Sequence, residues 1–136
     1  MAAITVSRCN VVKDFQSRDL PVGEAMTEGH YSRLNTTTGK LELGNATTTG
    51  ELGNTWGLIS HANVAIGQTA HLIMEGIVDI GDGLEGLAYD APVYVNDADG
   101  SLGDAAGTVS RIVGRVVPVF SNIAGTAEKL LELRRA

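Results

Sequence analysis

A single cysteine, Cys9, stands in 136 residues, so no intrachain disulfide can form. The sequence therefore fits a reducing compartment or a fold indifferent to redox state. A lone cysteine reads as a small apolar side chain before it reads as a reactive thiol. Aromatic residues are scarce, with one Trp, three Tyr and two Phe, which leaves little of the flat surface that sugar sites use. Basic residues are outnumbered as well: ten Lys and Arg against sixteen Asp and Glu give a formal net charge of -6. The tightest basic groups are Arg111 with Arg115 and the pair Arg134-Arg135. This argues against duplex nucleic acid and anionic membrane as partners, since both reward clustered Lys and Arg. No segment approaches the roughly 18 apolar residues of a membrane span, and no basic start leads into an apolar stretch at the N-terminus. Neither a membrane location nor secretory export is expected.

What remains is a strand-and-turn sequence. At this length the chain is expected to make one folded body. Its 17 glycines punctuate it too often for a long amphipathic helix. Residues 30–35 and 40–44 flank Thr36-Thr37-Thr38-Gly39, which predicts a hairpin. Residues 45–55, rich in Thr and Gly, predict an exposed loop. Strands are predicted at 56–61, at 69–76 continuing through 77–80, at 93–95 and at 110–119. In the second of these, Ala70, Leu72 and Met74 share one face, His71, Ile73 and Glu75 share the other, and Gly76 marks a bulge or corner. Residues 96–101 have turn composition, and residues 127–135 suit a closing strand better than a short helix, because a strand would remove an exposed sheet edge. Together these segments predict an all-β fold, a small antiparallel β-barrel spanning residues 23–136. Residues 1–22 differ: Val11, Val12 and Phe15 are set in polar surroundings, which fits either an extended N-terminal arm or a first strand with a surface loop.

Apparent chemical motifs have simpler readings. Gly81-Asp82-Gly83-Leu84-Glu85-Gly86 matches a dinucleotide pattern, but Asp82 and Glu85 would oppose a pyrophosphate. Pro92 follows too soon for the helix that would hold the phosphate. A glycine-rich corner is expected instead. Asp97-Ala98-Asp99-Gly100 resembles part of a calcium loop, yet Val95 stands where the first carboxylate ligand belongs, so a turn is expected. His30, His61 and His71 are too dispersed for a zinc set. No nucleophile elbow occurs, and the sequence does not exclude a strand-borne carboxylate pair. The glycosylation patterns at Asn35 and Asn45 read as Thr-rich turns. No catalytic, cofactor-binding or metal-ligating residue is assigned, and the chain is expected not to be an enzyme.

The order of features carries a resemblance. Glu28-Gly29, Thr38-Gly39-Lys40, Trp56-Gly57-Leu58-Ile59, Met74-Glu75-Gly76-Ile77-Val78, Ala91-Pro92-Val93-Tyr94-Val95 and Ile112-Val113-Gly114-Arg115-Val116-Val117 succeed one another over roughly residues 22–133. In that succession the chain resembles the capsid decoration, or cement, proteins of tailed bacteriophages. The resemblance implies a β-barrel or β-tulip body on the outer surface of an assembled head, made in the cytoplasm of the bacterial host. Such a body is often a homotrimer at local three-fold positions and bridges neighbouring major capsid subunits. On this reading residues 1–22 are the arm, and Val11, Val12 and Phe15 are its expected capsid contacts. The competing expectation is a small β-barrel ligand-binding or accessory domain of a bacterial protein.

Overall fold

From Thr69 onward apolar side chains fall on both faces of an extended backbone, Ala70, Leu72 and Met74 on one and Ile73 on the other. In the computed structural model of the protein, residues 3–60, 64–118 and 129–134 are described, and they contain ten strands. These are β1 (Ala3–Ile4), β2 (Asn10–Pro21), β3 (Tyr31–Leu34), β4 (Leu41–Leu43), β5 (Trp56–Ile59), β6 (Thr69–Asp79), β7 (Pro92–Val95), β8 (Leu102–Gly103), β9 (Ile112–Pro118) and β10 (Lys129–Leu133). All the strand pairings are antiparallel, and the order runs β1-β8-β7-β9-β10-β6-β5-β3-β4, with β2 added to β6. The fold is all-β. It is a curled, open half-barrel with an N-terminal strand extension rather than a closed cylinder.

The central strand β6 organises the molecule. Ile73 pairs with Leu58 of β5 and with Ser17 of β2, while Val78 pairs with Leu131 of β10 and with Val11 of β2. Because a strand has two edges, β5 and β10 share one edge of β6 end to end, and β2 takes the whole of the other. The two faces of β6 feed two cores. Ile73 and Val78 join Tyr31, Trp56, Leu58, Val93, Val113, Val116 and Leu131 in the larger one. Ala70, Leu72 and Met74 join Val22, Met26, Leu41, Ile59 and Val64 in the smaller. The predicted facing of residues 70–75 is thus the observed one for the apolar positions. Each fully buried Leu, Ile or Val contributes about 1.5–3 kcal/mol relative to exposure, which is what holds a sheet of short strands together.

The hairpin β3–β4 turns at Thr36–Gly39 as expected: Asn35 Oδ1 accepts from the Thr37 and Thr38 amides, and the Asn35 amide donates to the Lys40 carbonyl. Residues 129–133 form a strand, β10, the alternative that the sequence favoured. Strand β6 continues through Gly76 with an irregularity beside it: Met74 is an extra residue of β6 between the Glu75–Gln16 and Ile73–Ser17 pairs, and Ile73 and Val78, five residues apart, reach the same core. The expected loop at 45–55 is corrected. Thr48 caps a short helix, α1 (Thr49–Leu52), by accepting from the Glu51 amide at 3.1 Å. Ala46 and Leu52 are buried in the larger core. A single helical turn is too short to show periodicity, and this one is held by what it packs against.

Candidate functional site

Residues 10–21 are built against β6, from Asn10 opposite Asp79 to Pro21 opposite Thr69. Both flanks of β2 are pinned. On the N-terminal side Ile4 and Cys9 are buried, β1 pairs with β8, and Arg8 reaches the buried carboxylate of Asp79 with Nη2 at 3.1 and 3.2 Å. On the C-terminal side Val22 is fully buried in the smaller core. Between these anchors no residue of β2 is fully buried; Val12, Ser17 and Leu20 are half-buried and the rest are exposed. The strand therefore contributes backbone pairing to the fold and offers its side chains to the outside.

The three residues singled out from the sequence lie on this strand. Phe15 is 61% exposed, Val11 39%, and Val12 is half-buried. Val12 and Phe15 are each an extra residue in the pairing with β6: Val11 and Lys13 oppose consecutive β6 residues, as do Asp14 and Gln16. Each is a β-bulge, which bends the strand and re-aims the side chain it carries. An aromatic ring exposed on a bulged outer strand is set for contact with another surface, since burial of such a ring supplies much of an interface's energy.

A polar cluster fixes one face of β2 on β6. His71 Nδ1 lies 2.7 Å from Asp19 Oδ1, and its Nε2 lies 3.5 Å from Asp14 Oδ2. Ser17 Oγ donates to the same Asp14 oxygen at 2.8 Å. His30 is engaged elsewhere. Its Nδ1 accepts from the Thr27 amide at 3.1 Å, so its proton sits on Nε2, and burial holds its pKa below the ordinary 6.5 against the opposing pull of Glu24. His61 lies outside the described residues. Among the described residues no three His, Cys, Asp or Glu side chains converge on a metal-sized site.

The two loop motifs are tied into the fold. Residues 82–84 form one 3-10 turn, and a Cβ on Gly81 or Gly83 would be driven into Ser7 Oγ or the Thr5 carbonyl oxygen. These glycines allow the N-terminal segment to lie close against the corner, and no α-helix follows them among the described residues. In the turn after β7, Asp97 accepts from the amide and hydroxyl of Thr108 at 2.8 and 2.7 Å, which lowers its pKa. Asp99 accepts from Asn45 Nδ2 at 2.6 Å. Both carboxylates thus bridge neighbouring loops.

Cys9 is buried, and burial together with the nearby carboxylate of Glu28 pushes its thiol up to about 12. A neutral, enclosed thiol does not act as a nucleophile. An open, mainly apolar cavity of about 360 Å³ is lined by Ala25, Met26, Thr27, His30, Val64 and Ala65. Comparison with protein-family models gives no match, and no curated protein matches the sequence.

Proposed function

We propose that this chain works by contact, as a β-structured binding module whose working surface is the outward face of β2. The observation that carries this reading is a strand pinned at both ends, without a fully buried side chain, that presents Phe15 and Val11. A surface of that kind recognises another protein through a few anchoring side chains surrounded by polar ones. The resemblance of residues 22–133 narrows the partner. On it the protein decorates the outside of a tailed-phage head, bridges major capsid subunits through Val11, Val12 and Phe15, and sits as a homotrimer at local three-fold positions. The all-β fold supports this reading, as it supports other β-barrel modules.

The test uses heads assembled from a tailed-phage major capsid protein, taken from beside the gene where one is encoded there. The full-length protein should co-sediment with those heads. Phe15→Asp with Val11→Asp should weaken occupancy by about tenfold or more, an aromatic anchor contributing roughly 2 kcal/mol. Melting of the free protein should stay within about 0.5 kcal/mol of the parent, as for exposed positions generally. Absence of binding to those heads removes the virion reading. Binding that is indifferent to both substitutions removes the assignment to β2.

A second reading rests on a separate observation. The cavity beside Met26 and Val64 falls within the size range of small-molecule sites, which fits a ligand-binding or accessory domain of a bacterial protein. Thermal stabilisation by an apolar compound, abolished by Met26→Trp, would favour this reading over the first.

A further inference from the structure

Among the described residues the large apolar side chain most open to water is that of Ile66, 68% exposed. It belongs to neither core. The turn that carries it is nevertheless fixed. In residues 65–68 the Gln68 amide donates to the Ala65 carbonyl at 3.0 Å, Gln68 Oε1 accepts from the Ala65 amide at 2.8 Å, and the Gly67 amide donates to the Val22 carbonyl at 3.1 Å. Gly67 has φ +87°, as the third position of a type II turn requires, so Ile66 stands at the second position of a rigid turn.

Beside this turn lies the open apolar cavity of about 360 Å³, where Met26 and Val64 are buried and Ala25 and Ala65 are exposed at the rim. Its buried part is rigid. Met26 and Val64 exchange backbone hydrogen bonds of 2.9 and 2.7 Å, and Met26 Sδ accepts from the buried Ser32 hydroxyl at 3.3 Å. Ile66 does not line the cavity of its own chain, because Ala65 forms that part of the wall and the turn carries the next side chain out into water. The four carbons of an isoleucine side chain need about 120 Å³, at roughly 30 Å³ for a water-sized group. The cavity therefore has room for an isoleucine from elsewhere and for part of the turn that bears it.

We infer that the cavity of each copy is filled by Ile66 of a neighbouring copy of this chain, and that three copies close the contact into a ring. The count of three rests on the homotrimer of the proposed function; the contact itself does not. Charge points to a second copy as the occupant. A chain with a net charge of -6 repels its own kind over most of its surface. Neither the cavity lining nor residues 65–68 include an Asp, Glu, Lys or Arg. Glu24 and Glu28, which flank the lining in sequence, are turned into the body: Glu24 Oε2 accepts from the Leu43 amide and Glu28 Oε2 from the Cys9 amide, both at 3.3 Å. Copies can therefore meet here without bringing like charges together. Knob and cavity are different surfaces, so the contact is heterologous and is satisfied on every copy only when a rotation closes it. Because the two are neighbours on the chain, both fall close to the axis of the ring. Phe15 lies six residues before Pro21, roughly 20 Å back along β2, and stays free for another partner.

The experiment is sedimentation of the full chain from micromolar to millimolar concentration, beside Ile66→Asp and Ala25→Glu, both at exposed positions. The parent should pass from one copy to three as concentration rises. Each variant should need about tenfold more protein, or greater, to associate. Melting of the dilute variants should match the parent, which shows that the body is folded. For the geometry, chains with Ile66→Cys are mixed with chains with Ala25→Cys under mild oxidation. The mixture should give several-fold more covalent pairs than either population alone, since knob and rim meet across chains, and the enclosed Cys9 should not contribute. A parent that stays monomeric at millimolar concentration, an assembly of two copies, association indifferent to Ile66→Asp, or a mixture that cross-links no better than its separate parts would each overturn the inference. A monomer stabilised by a small apolar compound would do so too, and would give the cavity to the second reading above. None of these measurements involves heads, so a trimer that does not bind them keeps the contact and removes only the virion reading.

Discussion

Removing the Arg111 guanidinium should weaken the whole body, because that group joins three separate segments. Arg111 lies over the Trp56 ring, 5.3 Å from its centroid, and donates to the Tyr31 hydroxyl, the Leu52 carbonyl and the Gly53 carbonyl. The Tyr31 hydroxyl itself donates to the Leu52 carbonyl at 2.6 Å, and the Tyr31 and Trp56 rings stand 5.7 Å apart. One cation thereby ties β3, the C-terminal end of α1 and β5 to the start of β9. In Arg111→Met the aliphatic stem is kept. The cation–π contact, about 1 kcal/mol for a half-buried pair, is lost. The Leu52 carbonyl retains its tyrosine donor, whereas the Gly53 carbonyl loses the guanidinium donor. A buried acceptor deprived of a partner costs about 1–3 kcal/mol, and the half-buried Gly53 falls in the lower part of that range, about 1–2 kcal/mol. The expected loss is therefore about 2–3 kcal/mol, which at roughly 3–4 °C per kcal/mol for a chain of this size lowers Tm by about 6–12 °C. Trp56 is the single tryptophan and is buried at the site, so urea titration followed by its fluorescence reports the transition directly. Arg111→Lys should recover part of the loss, keeping the charge without the planar fork. A midpoint for Arg111→Met equivalent to less than about 0.5 kcal/mol of change would refute the reasoning and leave the cluster as surface decoration.

Gly114→Val should destabilise more than any exposed substitution, since a Cβ there meets the carbonyl oxygen of Glu132 and β9 is held between β7 and β10. Overpacking of this kind costs about 1–3 kcal/mol or more, and an unchanged melting curve would count against the observed β9–β10 pairing. Cys9 should resist an aromatic disulfide reagent at pH 8 until the chain unfolds, and rapid labelling of the native protein would contradict its burial. Its raised pKa implies that its contribution to stability is full below its ordinary 9.0 and falls as pH climbs from there towards about 12. Cys9→Ala should flatten that alkaline decline. Asp97 has the opposite sign: its pKa is lowered by the two Thr108 hydrogen bonds, so its contribution is present above 3.8 and is lost as pH falls through the lower folded value. Carboxyl NMR titration should place Asp97 below 3.8 in the parent and return it towards that value in Thr108→Val.

The parts of the fold that could be read from sequence are those whose side chains alternate because both or one of their faces are buried. β6 declares itself through Ala70, Leu72 and Met74 on one face and Ile73 on the other, each face matching one of the two cores, and β9 through its run of β-branched residues. The hairpin at residues 36–39 is equally direct, since Asn35 and Gly39 supply the turn chemistry themselves. Arg111 was not legible. Nothing in the run from Ser110 to Val119 distinguishes an arginine that caps a helix fifty-odd residues away from one that faces water, because its partners belong to segments distant in the chain. Ala46 and Leu52 were hidden for a related reason: a Thr- and Gly-rich stretch looks solvated unless the surface that covers it is known.

The candidate site failed to show a strand pattern for the opposite reason. Hydrophobic periodicity reports burial, and β2 has no fully buried side chain, so it carries no alternation to detect. Its position is dictated instead by its neighbours. Arg8 and Cys9 are fixed at one end by Asp79 and the larger core, Val22 is fixed at the other by the smaller core, and the chain between must run the length of β6. Apart from Leu20 against the smaller core and the Asp14, Ser17 and Asp19 cluster at His71, its side chains make little packing with the body. That explains why Val11, Val12 and Phe15 stood out from sequence as apolar residues in polar surroundings, yet left an arm and a first strand as equal alternatives. The fold thus holds β2 mainly by backbone pairing along β6, with Leu20 its one apolar side chain packed on the smaller core.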